Sequence, residues 1–108
     1  MIYRIADAAD WVRAQQTGEF ASADLQLEGF IHCSEQHQIL RTAQKYYSGK
    51  NRLVLLEFNE ATIIASLKRE DSAGRGEIFP HVYAAIPLTA ITRHFDFMET
   101  DGVFVLPF

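Results

Sequence analysis

Three short segments gather most of the side chains able to do chemistry. Gly29-Phe30-Ile31-His32-Cys33-Ser34 sets a histidine and a hydroxyl two positions apart. In an extended chain both leave the same face. An imidazole that donates and accepts near neutral pH then shares a cleft with Ser34. Phe79-Pro80-His81-Val82-Tyr83 repeats that spacing with His81 and Tyr83, on a stretch stiffened by Pro80. Two polar rings on a rigid edge suit a ribose, a phosphate or a base. Lys68-Arg69-Glu70-Asp71-Ser72 sets mixed charge beside the small-residue loop Asp71 to Gly76, where an anionic ligand could rest.

Each segment also has a plainer account. His32 can be a hydrogen-bonded core histidine and Ser34 a helix cap, and on spacing alone capping explains Ser34 in full. His81 and Tyr83 can be a rim histidine and a packed tyrosine. The charged run can be a solvated loop, which is the commoner case. Other pairings carry less. Cys33 adjoins His32, but alternation sends them to opposite faces, so Cys33 reads as a small buried hydrophobe and not as a nucleophile. No H-x-x-x-H or C-x-x-C occurs and His37 lies five residues from His32, so no metal is expected. Gly74 and Gly76 form neither a P-loop nor a dinucleotide fingerprint. His94 reads as a surface residue and Trp11 as core.

The elements that must position these groups follow from periodicity. Ile2 to Ile5 reads as a strand, Asp7 as an N-cap, and Ala8 to Thr17 as a helix with Ala8, Trp11 and Val12 on one face, stopped by Gly18. Glu19 to Glu28 reads as a loop. Gly29 to Cys33 reads as a strand. Ser34 then caps a helix to Tyr47, with Ile39, Leu40, Ala43, Tyr46 and Tyr47 as its apolar stripe and Gly49 closing it. Leu53 to Phe58 is an almost unbroken apolar run, the pattern of a central strand covered on both faces. Ala61 to Leu67 is a strand or a short helix plus strand. Phe79 to Ile86, punctuated by prolines, reads as an edge strand or an irregular segment. Ile91 to Phe97 and Gly102 to Leu106 read as final strands joined near Asp101-Gly102. Two main helices among mostly antiparallel strands make the class α+β.

A chain of 108 residues is one domain, 1–108, large enough for a real core. An apolar fraction of 48% excludes disorder. The formal net charge of −4 argues against nucleic acid as a tight partner, although a patch from Arg4, Lys68, Arg69 and Arg75 would offset it locally. There is no apolar run of membrane-spanning length and no signal-peptide pattern, and the single cysteine precludes an internal disulfide. The expectation is a cytoplasmic protein with a small-molecule or nucleotide ligand and no membrane partner.

Ile2-Tyr3-Arg4-Ile5, Asp10-Trp11, the Gly29–Ser34 segment, Leu53-Val54-Leu55-Leu56 and Phe79–Tyr83 followed by Ile86-Pro87-Leu88 together resemble the bacterial family numbered 952 among the domains of unknown function. The resemblance runs from Ile2 to about Ile91. It implies a split antiparallel β-core of the ADP-ribosyltransferase type, gripping NAD or an ADP-ribose-like ligand, with chemistry like ADP-ribosyl transfer or RNA 2′-phosphotransfer. Carried over, Arg4 meets the pyrophosphate, His32 and Ser34 fix the ribose, and His81 or Glu70 orients a nucleophile, with Tyr83 beside them; Arg4 stands where the family often has histidine. Glu70 and Glu77 are the carboxylates available for the superfamily's glutamate. The other readings are a non-catalytic module binding a nucleotide-like molecule and a protein-interaction domain.

Overall fold

The computed structural model describes residues 1–71 and 73–108; Ser72, in the charged segment above, lies outside the described residues. Strands β1 (Ile2–Asp7), β4 (Leu53–Phe58) and β8 (Ile91–Phe97) form an antiparallel sheet in the order β1-β4-β8. Every residue of β4 is buried because both faces of this sheet are covered. On one face Val54, Leu56 and Phe58, with Ile2 and Ala6, meet Phe20, Ile31, Val82 and Ile86. On the other, Leu53, Leu55, Tyr3 and Ile5 meet Ile39, Ala43, Phe97 and Phe104.

A second antiparallel sheet is built from β3 (Ile31–His32), β5 (Leu67–Glu70) and β6 (Phe79–Val82) in the order β3-β6-β5. The proline-bearing β6 is therefore its centre and not an edge. The chain tolerates Pro80 there because the missing donor falls at the end of the ladder. Cys33 donates to the Pro80 carbonyl at 3.0 Å, no bond returns, and β3 has already ended at His32. Lys68, Arg69 and Glu70 belong to β5 and not to a loop. Two short ladders complete the fold, β2 (Glu19–Phe20) with β7 (Ile86–Pro87) and β9 (Glu99–Thr100) with β10 (Val103–Phe104); β10 is shorter than the Gly102–Leu106 strand read from sequence.

The helices are α1 (Ala8–Thr17), α2 (Ala23–Glu28) and α3 (Ile39–Tyr46). Asp7 occupies the N-cap position of α1 in extended geometry, yet its side chain makes no cap bond. Gly18, at φ 91°, closes α1 in the left-handed conformation that a side chain would strain. The segment Glu19 to Glu28 is β2 plus α2, correcting the loop reading. Helix α2 buries no residue completely, so it carries no stripe for periodicity to detect. Ser34 caps nothing. Its backbone pairs with Tyr3 through bonds of 2.9 and 2.7 Å, which joins the two sheets. Glu35 takes the cap, in a reciprocal box with Gln38, and opens a 3₁₀ turn at Gln36–Gln38 ahead of α3. Of the stripe read in α3, Ile39 and Ala43 are buried while Tyr46 is exposed. The whole is α+β with antiparallel sheets and few helices, and no helix among the described residues is long and apolar enough to cross a membrane.

Candidate functional site

The second sheet turns Ile31 and Val82 to the core. Its register sets His32 opposite His81, and His81 opposite Lys68, on the other face. The two-residue period adds Phe30, Phe79, Tyr83 and Glu70 to that face. The Phe30 ring stacks on His81 at 4.1 Å and sits 4.7 Å from His32 and 5.3 Å from Tyr83. The two imidazoles are 5.4 Å apart, edge to face. Three motifs distant in sequence thus share one sheet face.

His81 is only 2% exposed. Its Nδ1–H donates to Glu70 Oε1 at 2.9 Å, and the Tyr83 hydroxyl donates to the same oxygen. The Tyr83 bond first, and then the His81 bond, holds the Glu70 carboxyl below the usual range. An ionised acceptor favours a proton on Nδ1, so in the neutral ring Nε2 is the acceptor left for a ligand. His32 is half exposed, with Nε2 at 2.8 Å from Glu28.

Arg4, on β1, donates through Nη1 to Asp24 at 2.7 Å and to the His32 carbonyl at 3.0 Å. Asp24 also accepts the His32 N–H at 2.9 Å and the Ser22 hydroxyl. One carboxylate from α2 therefore ties β1 to β3. Burial opposes ionisation of Asp24, but the Arg4 charge, the His32 N–H and the Ser22 hydroxyl together hold its pKa below normal. The charge of Arg4 is already met inside the protein. Its Nε is buried without a partner.

These groups open into a cavity of ≈ 590 Å³, a volume typical of small-molecule sites. Arg4, His32, Ser34 and His81 line it. Arg41, Lys45, Tyr47 and Lys50, with Asp71, Ala73, Arg75 and Glu77, line it as well. Glu70 and Tyr83 do not line it; they reach it only through His81. Glu77 is bound by Arg41 and by the Gln38 amide at 3.2 Å. The Asp71 carboxylate accepts the Arg75 and Gly76 N–H groups at 3.0 and 2.6 Å. The basic patch of Arg4, Lys68, Arg69 and Arg75 is dispersed. Only Arg4 and Arg75 line the cavity, Arg69 grips Glu35 and Glu60, and Lys68 lies 5.0 Å over the Tyr83 ring.

Cys33 is buried, and burial pushes its thiol up to about 12. That suits packing and not nucleophilic attack. His94 is exposed and lies 5.0 Å from the half-buried Trp11. Among the described residues no three His, Cys, Asp or Glu side chains converge on a metal position. Sequence reasoning missed Asp24, Tyr47 and the cationic wall of α3. A signal existed for that wall: Arg41 and Lys45 are four apart, a like-charge pair that costs helix stability and asks for another reason to stay.

Fold and site define a small antiparallel α+β protein with a histidine-lined cleft rimmed by cations. The chain belongs to the family described as "Protein of unknown function (DUF952)", whose model matches residues 5–94. It is similar to protein CC0527 from Caulobacter crescentus. The X-ray crystal structure of that protein shares 38% identity, covers 96% of this chain and 92% of its own, and superposes with a TM-score of 0.87. A crystal structure of a double mutant of CC0527 gives the same figures, and its solution NMR structure superposes with a TM-score of 0.79 over 94% of this chain and 89% of its own. No curated protein matches the chain.

Proposed function

We propose that the cleft binds NAD or an ADP-ribose-like ligand and transfers its ADP-ribosyl unit, in the manner of an ADP-ribosyltransferase fold. The observation that carries this reading is the meeting of His32, Ser34 and His81 in the wall of one cavity, with His81 oriented by Glu70. The donor set suits the ligand: His32 and Ser34 offer ring and hydroxyl contacts to a ribose, and the Glu70–His81 pair presents a proton acceptor at Nε2. In the reaction the nicotinamide–ribose bond breaks with its electron pair leaving on nicotinamide. A bond forms from the ribose carbon to an acceptor oxygen, whose proton passes to His81 Nε2. His32 and Ser34 hold the ribose in line, and Glu70 stabilises the imidazolium that results. Catalysis here is mostly orientation and charge stabilisation.

A second reading, binding without chemistry, is favoured by the carboxylates. Asp24, Glu77 and Asp71 all line the cavity with their oxygens already engaged. Nicotinamide release from NAD separates the two readings. The transferase reading expects release by the wild type and a loss of about 100-fold or more in His32→Ala. Wild-type turnover in that variant would sink it, and saturable binding with no release would leave the binding module.

A further inference from the structure

We infer that Lys45, Lys50 and Arg75, in the wall of the same cavity, form an anion subsite that takes a diphosphate group. The inference deepens the reading above and rests on it only for the histidines. Of the ten lysines and arginines in the chain, five hold a carboxylate among the described residues: Arg4, Arg13, Arg41, Arg69 and Arg93. Three of the other five, Lys45, Lys50 and Arg75, line this one cavity. In a chain of net charge −4, carboxylates are in excess and unpaired cations are not forced together. Their gathering in one concavity raises the local potential for an anion.

The carboxylates of the cavity cancel these three only in part. Asp24 is held by Arg4, Glu77 by Arg41 and Asp10 by Arg13. Asp71 accepts backbone N–H groups and keeps its charge, so Asp71 and Asp7 are the carboxylates without a cation among the described lining residues, against three cations. The dipole of α3 accounts for Lys45, which lies in its last turn. It does not account for Lys50, beyond the helix, or Arg75, between β5 and β6. Arg4 cannot supply the charge, because Asp24 already neutralises it. The expectation that Arg4 meets the pyrophosphate therefore moves to this wall.

Position supports the assignment. The Lys50 ammonium lies 5.4 Å over the Tyr47 ring, and the Lys45 ammonium 5.2 Å over Tyr46. These contacts hold the long side chains against the wall. Arg75 adds a planar fork suited to two phosphate oxygens. Two ammonium groups and a guanidinium fork offer donors for the several oxygens of a diphosphate, either free or carried by a nucleotide.

The test is calorimetric titration of the full chain with inorganic pyrophosphate, ADP, ADP-ribose and adenosine. It is run on the wild type, Lys45→Gln/Lys50→Gln, Arg75→Gln and His32→Ala. Pyrophosphate and ADP are expected to bind and adenosine to bind at least tenfold more weakly. Each cation variant is expected to lose about 10-fold in affinity for the charged ligands, the loss usual for a charge-assisted contact. ADP binding more tightly than pyrophosphate identifies a nucleotide, and equal affinity identifies the free anion. Unchanged affinity in both cation variants, or no binding of pyrophosphate and ADP at millimolar concentration, overturns the inference. If ADP-ribose affinity falls only in His32→Ala, the subsite fails and the histidine reading stands; if it falls only in the cation variants, the reverse holds.

Discussion

Glu57 and His81 are the same kind of oddity in two places. Each is a polar side chain, almost wholly buried, on the central strand of its sheet. Glu57 is closed. It accepts the Tyr3 hydroxyl at 2.9 Å, the Thr92 hydroxyl at 2.6 Å, and Arg93 through Nε at 3.0 Å and Nη2 at 2.7 Å. No acceptor capacity is left for anything else. His81 is open. One ring nitrogen is engaged by Glu70, and the ring lines a cavity. A saturated buried group stabilises a fold, whereas a half-satisfied one facing a void is free to work on a ligand.

Substitutions break this comparison at either end. The largest expected effect is Glu57→Gln. Hydrogen bonds from Arg93, working against burial and joined by Thr92 and Tyr3, bring the Glu57 carboxyl to about 2 from an ordinary 4.5. Because Arg93 is half exposed and solvent screens the pair, such a shift is worth about 2 kcal/mol of stability. Because the folded pKa is the lower one, that stability is complete above pH 4.5 and is lost as pH falls through 2. Glu57→Gln should therefore unfold at a melting temperature lower by about 10 °C or more. The acid sensitivity that Glu57 contributes should disappear, and ligand affinity should be unchanged. Calorimetry across pH measures all of this. A variant as stable as the wild type would remove the distinction between the two sites.

Next comes His81→Asn, which keeps a polar group beside Glu70 but removes the ring base. Nicotinamide release should fall by about 100-fold, with a smaller effect on melting than Glu57→Gln has. The opposite pattern would make His81 a packing residue. Asp24→Asn should cost about 1–2 kcal/mol, because it uncovers the Arg4 charge and loosens the His32 backbone. Its readout is a shift of the His32 and Arg4 resonances, together with tighter binding of anions beside Arg4. Smallest is Tyr83→Phe. Losing its hydroxyl lets the Glu70 pKa rise toward normal, so the acid limb of the turnover profile should move up in pH while the maximal rate changes only a few-fold. An unmoved acid limb would disconnect Glu70 from the site.

The sequence carried the local geometry well. Alternation in Gly29–Cys33 correctly separates His32 from Cys33, and the unbroken run Leu53–Phe58 correctly marks a strand covered on both faces. It failed where a partner is distant. Nothing near Ser34 announces its ladder with Tyr3, and nothing near Asp24 announces Arg4. Pro80 misled because the rule against central-strand proline assumes a ladder that continues past it, and this one stops. Lys45 was hidden inside a helix whose tyrosines read as core, and Lys50 and Arg75 lie in loops far apart in sequence. The grouping of His32, His81 and Glu70 was visible only as three separate motifs, since their sharing one sheet face depends on strand order.

On the proposed reading one ligand spans the histidines and the cations of this cavity. The decisive experiment is an amide NMR titration of the labelled chain with NAD and ADP-ribose. Saturable shifts are expected at Arg4, His32–Ser34 and His81 together with Lys45, Lys50 and Arg75, with silence around Glu57 and Thr92. No shifts at millimolar ligand, or shifts confined to the Glu57 side of the first sheet, would contradict it.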